Sequence, residues 1–405
     1  MAVFPQTVTA SEPASLLPRR LLYATSARIG GSGLDEVARE SLKASAGQFL
    51  GRAIAFENRQ REIAPALIRS LAAHPVRLLS GLGSVRYYGA KKHYLDWIAA
   101  RELARGGYDA FHSWSGDCVR ALRVARRMGV PSLLEVGTWH RHKGKAKPLR
   151  RTQSERALDE APWPQRWLNR LLISRQQVLE EYDLADLILV LSEKAEETFL
   201  AAGIAREKLF RHQRGVDVAR FTPAAQPPEI FRAVFVGALI KRKGVHHLLE
   251  VWRRLNLKDA ELVLVGSVHD EMRPYLAEFS GENVKLPGFV GRVEDCYRAA
   301  SVHILPSECE GSAKCTYEAA ACGLPQITTR ESGDVVQDGV NGLVIPPNDP
   351  DALAAAIERL YRDRDLGARL GAAGRERVVE NFTWEHFRAR LLEAYRVAMT
   401  RGSAR

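Results

Sequence analysis

Short apolar runs rich in Leu, Val and Ile alternate with longer segments of helical periodicity twice along this 405-residue chain, once on each side of a proline-rich break. Apolar runs without polar interruption suit strands buried on both faces, and strands joined through helices pair in parallel. In the first half the runs are residues 21–26, 76–80, 109–114, 131–136 and 186–192. In the second they are 233–239, 261–267, 283–289, 302–307, 325–329 and 342–347. Segments such as GDCVRALRVARRMGV and GVHHLLEVWRRLNL, with apolar residues at helical spacing, separate them. The expected fold is therefore α/β, with two doubly wound Rossmann-like domains facing a cleft.

Three prolines in FTPAAQPPEI place the linker at 221–230, because proline neither continues a helix nor fills a central strand. The expected division is a first Rossmann-like domain over 1–220, a second over 231–382 and a final helix over 383–405. Thr383 can cap that helix, and Trp384, Phe387, Leu391, Leu392 and Tyr395 form an apolar face, predicted to pack back toward the first domain. Doubly wound sheets bind ligands beyond the carboxyl ends of their strands, so the cleft is the expected site.

Charge divides unevenly. Residues 1–220 carry 35 Lys or Arg against 23 Asp or Glu, a net +12, whereas the rest carries 24 against 25, a net −1. An anionic partner for the first half alone follows. No RNP pattern, zinc-finger spacing or recognition-helix module is present, so a nucleic-acid partner is not expected. No apolar stretch is long enough to span a bilayer, and the first 20 residues lack the pattern of a secretory signal. The five cysteines (118, 296, 309, 315, 322) include no C-x-x-C pair, as suits a reducing compartment. The expected location is cytoplasmic, with peripheral attachment to the cytoplasmic face of a membrane as the extension. The basic run RHKGKAKPLRR (141–151) and the tryptophans of WPQRWLNRLLISRQQ motivate that extension.

Chemistry concentrates in SVHILPSECEGSAKCTYEAAACGLP (301–325). A strand ends near Pro306, and a helix is predicted from about Ser312 to Gly323. Free N–H groups at a helix start attract phosphate, and Glu310 and Glu318 flank that start. Carboxylates beside a phosphate site can accept hydrogen bonds from sugar hydroxyls on either side of a diphosphate. The plainer alternative is that Glu310 favours the helix dipole and Glu318 is a solvated helix residue.

Glu310, seven residues and then Glu318, continued as EAAACGLP, resembles the E-x7-E signature of retaining nucleotide-sugar glycosyltransferases of family four, which have the GT-B fold. VFVGALIKRKGVHHLLEVW, DLADLILVLSEKAEETFLAAGI, KLFRHQRGVDVARFTP, DGVNGLVIPPNDPDALAAAI and NFTWEHF match in order and spacing. The resemblance implies a metal-independent enzyme that takes no cofactor and uses a nucleotide sugar (UDP- or GDP-sugar) as co-substrate. The implied acceptor is lipid-linked or an oligosaccharide, in glycan, polysaccharide or glycolipid assembly. It further implies that Glu318 holds the donor ribose, that Glu310 holds hydroxyls of the transferred sugar, and that the backbone from Gly311 through Ser312, Ala313 and Lys314 holds the phosphates. Gly237 and Lys243 correspond to the family's glycine and lysine, but Ala238 stands where the family has arginine, which passes the second cation to Arg242 or Lys241. Base recognition is expected at the backbone of Gly288, Phe289 and Val290.

In the first half, Gly31, Ser32 and Gly33, preceded by Gly30, form a loop between strand and helix that the family closes over donor diphosphate and acceptor. His140 is the expected catalytic histidine by position, and His112 the lesser choice. His140 and His142 are spaced like metal ligands, but Arg141, Lys143 and Lys145 disfavour a divalent ion, so no metal is expected. Of the two retaining routes, the resemblance favours front-side attack, with Glu310 orienting the sugar. Alternatives are transfer to a small soluble acceptor and a silent GT-B binding module.

Overall fold

The computed structural model describes residues 17–31, 33–141 and 162–402. Ser32 and residues 142–151 of the basic run therefore lie outside the described residues.

Seven parallel strands form the first sheet: β1 (Leu21–Ile29), β2 (Leu50–Asn58), β3 (Ile68–Ser70), β4 (Ala110–Trp114), β5 (Ser132–Val136), β6 (Leu187–Val190) and β7 (Leu209–Arg211). Their order is β3-β2-β1-β4-β5-β6-β7, so the chain steps outward from β1 in one direction, returns and continues in the other. The helices that cover it are α1 (Leu34–Ser45), α2 (Ser84–Ala104), α3 (Val119–Met128), α4 (Trp163–Asn169), α5 (Arg175–Leu184) and α6 (Glu193–Ala201). Every residue of β4, β5 and β6 is buried, which is why apolar residues predominate in these strands.

The second sheet contains β8 (Phe231–Val236), β9 (Ala260–Val265), β10 (Val284–Gly288), β11 (Val302–Leu305), β12 (Gln326–Thr328) and β13 (Leu343–Val344), in the order β10-β9-β8-β11-β12-β13. It is also wholly parallel. Around it lie α7 (Val245–Leu255), α8 (Arg273–Phe279), α9 (Val293–Arg298), α10 (Lys314–Ala321), α11 (Pro350–Arg362) and α12 (Arg364–Asn381). Two Rossmann-like α/β domains result.

Three sequence expectations need correction. Residues 76–80 are not a strand: Pro75–Leu82 is a 3-10 turn with no buried residue, and Pro75 presets its first position. The strands on that side of β1 are β2, which pairs with it, and β3 beyond β2; they carry Gly51, Arg52 and Arg69, whose polar or absent side chains break the apolar run. The helix after Glu310 starts at Lys314 rather than Ser312, with Ala313 as its cap.

The chain crosses between the sheets twice, side by side. The first crossing occupies the irregular stretch 212–230, and Val216 forms a parallel bridge with Thr383 of the return crossing. Beyond it, α13 (Trp384–Gly402) lies on the first sheet, against α1, β5 and β6. Phe387, Leu391 and Tyr395 are fully buried there, and the Thr383 hydroxyl accepts a hydrogen bond from the His386 N–H at 3.4 Å.

Candidate functional site

The carboxyl ends of β8 and β11 place the cationic and acidic groups against each other. After β8 the chain turns at Gly237, whose φ of 148° favours glycine, and the carbonyl of Gly237 passes so close to Gly266 that a Cβ there would meet it at 2.0 Å. This tight return brings Lys243 over Gly237 and aims it at the loop that follows β11. Lys243 Nζ lies 2.8 Å from Glu310 Oε1, and Arg242 Nη1 reaches the same oxygen at 3.1 Å. Arg242 also donates to the Cys309 carbonyl. One carboxylate thus carries two cations, both side chains of the Lys241–Lys243 turn.

One turn into α10, Glu318 is buried and receives two donors. The Tyr297 hydroxyl donates to its Oε2 at 3.0 Å, and Lys314 Nζ is 3.1 Å from Oε1. Burial raises the Glu318 pKa above the usual carboxylate range, against the opposing pull of Lys314. Burial acts the other way on Lys314, but Glu318 and Glu36 outweigh it and its pKa rises. Glu36, in the first turn of α1, meets Lys314 Nζ at 2.7 Å. Lys314 therefore joins the two domains.

The loop 310–313 is clamped from the first domain. Ser192 Oγ donates to the Gly311 carbonyl at 2.6 Å, and Arg214 Nε donates to the Ser312 carbonyl at 3.0 Å. A Cβ on Gly311 would meet the Gly137 carbonyl at 2.3 Å, so only glycine permits this approach of the β5 end to the loop. Ser312 Oγ bonds the Tyr317 hydroxyl at 2.7 Å. The Ala313 N–H donates to the Ser332 carbonyl at 2.8 Å, so this one of the expected phosphate donors is engaged within the protein.

The remaining predicted residues divide. Gly31 and Gly33 lie between β1 and α1, Gly33 with φ 68° directly before the helix. Gly288 ends β10, where its carbonyl accepts the Gly266 N–H; Phe289 is 87% exposed, and Val290 packs against the second core. His140 is buried with its ring 5.0 Å from those of both Tyr182 and Phe199. That aromatic seat lies between α5 and α6. His112 is buried in the same domain, its Nδ1 2.8 Å from the Tyr395 hydroxyl of α13, and burial pushes its pKa down to about 3.

Family and fold relations follow from these features. Residues 230–363 match the family described as glycosyl transferases group 1. D-inositol 3-phosphate glycosyltransferase of Thermobifida fusca is 27% identical over 390 residues, covering 86% of this chain and 83% of that protein. The chain carries a group 1 glycosyltransferase domain. Alpha-maltose-1-phosphate synthase of Mycobacterium tuberculosis is 30% identical to this glycosyltransferase over 219 residues, 49% of the chain and 54% of that relative. The fold is shared with sucrose-phosphate synthase from Thermosynechococcus elongatus (TM-score 0.69, 21% identity, 93% and 98% of the two chains covered). It is shared too with Anabaena HepE, solved with UDP-glucose (TM-score 0.64, 16% identity, 92% and 98% covered). Two facing Rossmann-like domains are thus the GT-B arrangement.

Four residues of the glycosyltransferase's cleft escaped sequence reasoning: Glu36, Glu135, Ser192 and Arg214. Ser192 and Arg214 each follow a strand by a few positions, which was the available signal. Arg214 is fully buried and feels both Glu135 and Glu310. Burial pushes Glu135 up to about 7, with Arg214 opposing. The sign follows: the folded pKa lies above the ordinary value, so the contribution of Glu135 to stability is complete at low pH and is lost as pH rises through about 7. Gln does not titrate. The melting temperature of Glu135→Gln minus that of wild type should therefore increase between acidic and mildly alkaline pH, by an amount equivalent to roughly 1–3 kcal/mol. A difference independent of pH would show that Glu135 does not titrate in this range.

Proposed function

We propose that this glycosyltransferase moves a sugar from a nucleotide diphosphate sugar to an acceptor hydroxyl with retention at the anomeric carbon and without a metal. The observation that carries the reading is Glu310 seated on Lys243 and Arg242, in the loop that leads into the helix of the buried Glu318. In this reading Glu318 takes the ribose hydroxyls, Glu310 orients the transferred sugar, and Lys243 with Arg242 meets the charge that develops on the departing diphosphate. Lys314 exchanges its contact with Glu318 for the diphosphate when ribose arrives. Support for a nucleotide-sugar donor comes from HepE, solved with UDP-glucose. Glycan acceptors are supported by the capsular polysaccharide glycosyltransferase of Staphylococcus aureus, 31% identical over 163 residues.

Front-side attack fits this geometry. The Glu310 oxygen that meets Lys243 also meets Arg242, a setting that holds a carboxylate in place and lowers its power as a nucleophile. The leaving diphosphate oxygen then accepts the acceptor proton on the face from which it departs.

Nucleotide release from UDP-, GDP- and ADP-sugars, with and without acceptor, tests the reading. One nucleotide series should be turned over and should raise the melting temperature. Nucleotide-sugar affinity without release would favour a silent binding module, and neither effect with any donor would overturn the reading.

A further inference from the structure

We propose that the face formed by the Pro75–Leu82 turn, the start of α2 and α4 docks this enzyme on an anionic lipid bilayer. The inference deepens the proposed function by placing the carrier of a lipid-linked acceptor beside the cleft, and rests on that reading for its purpose.

The first observation is the absence of acids. Residues 64–95 contain five Lys or Arg and no Asp or Glu, and residues 162–179 contain three and none. The structure brings these distant segments together: Arg86 Nη2 donates to Asn169 Oδ1 at 3.3 Å. A Cβ on Gly89 would sit 2.1 Å from the Leu171 carbonyl, so the two backbones are in direct contact. The basic excess of the first half thus includes a continuous surface free of acids in both contributing segments.

The second observation is apolar exposure on the same segments. Leu78 is 91% exposed, Val85 71%, Trp163 80% and Trp167 59%, and Tyr88 is half exposed. Arg77 beside Leu78 and Arg170 beyond Trp167 are exposed as well. Large apolar groups left in water at this density mark an interaction surface. Tryptophan and leucine interleaved with arginine suit the boundary between headgroups and acyl chains, where rings bury and cations meet lipid phosphates.

The third observation is position. The Tyr88 hydroxyl lies 3.4 Å from Ser26 Oγ in β1, and Lys92 Nζ lies 2.6 Å from Asp117 Oδ1, just after β4. The start of α2 therefore stands over the carboxyl ends of β1 and β4, on the side of the Gly31–Gly33 loop. A bilayer seated on this face borders the acceptor side of the cleft.

The test is flotation of the full chain with phosphatidylcholine vesicles, with and without phosphatidylglycerol, at low and high salt. Wild type should float only with the anionic vesicles and be released by salt. Arg77→Gln should weaken partitioning about fivefold, and Leu78→Ser combined with Trp163→Ser by roughly tenfold or more. Both variants should keep wild-type nucleotide release with a soluble acceptor. Failure of wild type to float, or undiminished flotation of the Leu78/Trp163 variant, overturns the proposal, as does preference for an acidic protein or RNA over the vesicles. Salt-sensitive flotation lost in the variant sustains the surface even if no donor is turned over, which separates it from the activity reading.

Discussion

Glu310→Gln is expected to remove most sugar transfer, roughly 100- to 1,000-fold in kcat, while the fold and the nucleotide affinity persist. Gln keeps the shape of the side chain and loses its charge. In the structure that charge is what draws Lys243 and Arg242 onto one oxygen, at 2.8 and 3.1 Å. With the charge gone, the sugar loses an anionic acceptor for its hydroxyls and the two cations lose the partner that fixes their positions. Nucleotide affinity should largely survive because Glu318, the proposed holder of the ribose, is untouched and Lys243 and Arg242 keep their charge. Steady-state kinetics with the donor found by screening, paired with calorimetry of nucleotide binding, checks both halves. Near-normal turnover would remove Glu310 from the reaction centre. Equal loss of turnover and nucleotide binding would make it a binding residue only.

The parts that were legible in the sequence share a physical cause. Strands buried on both faces leave continuous apolar runs, so β4, β5, β6, β9 and β11 could be read directly. β3 is a short, wetted edge strand and β2 beside it is buried only in part, so the two disappeared behind Arg69 and Arg52. The Pro75–Leu82 turn was misread for the converse reason, being apolar in sequence and exposed in space. A run of Val and Leu says what a segment could bury, and the packing decides whether anything covers it.

The site divides along a similar line. Glu310 and Glu318 have seven residues between them within one strand-loop-helix unit, so local geometry was enough to place them together. The clamp on their loop comes from Ser192, Arg214 and Glu36, which are 119, 98 and 278 residues distant from Gly311, Ser312 and Lys314. Such pairings become visible only when two domains face one another. His140 follows a strand end, and its ring packs against Tyr182 and Phe199. A histidine beyond a strand end can turn toward the cleft or back toward the helices, and sequence does not record which.

Lys243→Met should cost roughly 100-fold in transfer and weaken donor binding as well, because the same cation meets the diphosphate in the ground state and more strongly as the glycosidic bond breaks. Methionine retains most of the apolar stem that lies over Gly237, so the packing of the β8 turn is preserved and the loss reports charge. The more decisive measurement is the combination with Glu310→Gln. Lys243 and Glu310 share an ion pair, and groups in contact do not contribute independently. The double variant should therefore fall well short of the product of the two single effects, since each single change already deprives the other residue of its partner. A fully multiplicative loss would mean that the ion pair is absent in the transition state, with Lys243 on the diphosphate and Glu310 on the sugar acting separately. Unchanged kinetics in Lys243→Met alone would move the cationic role to Arg242 and Lys314, the other two cations that the cleft brings within reach of Glu310 and Glu318.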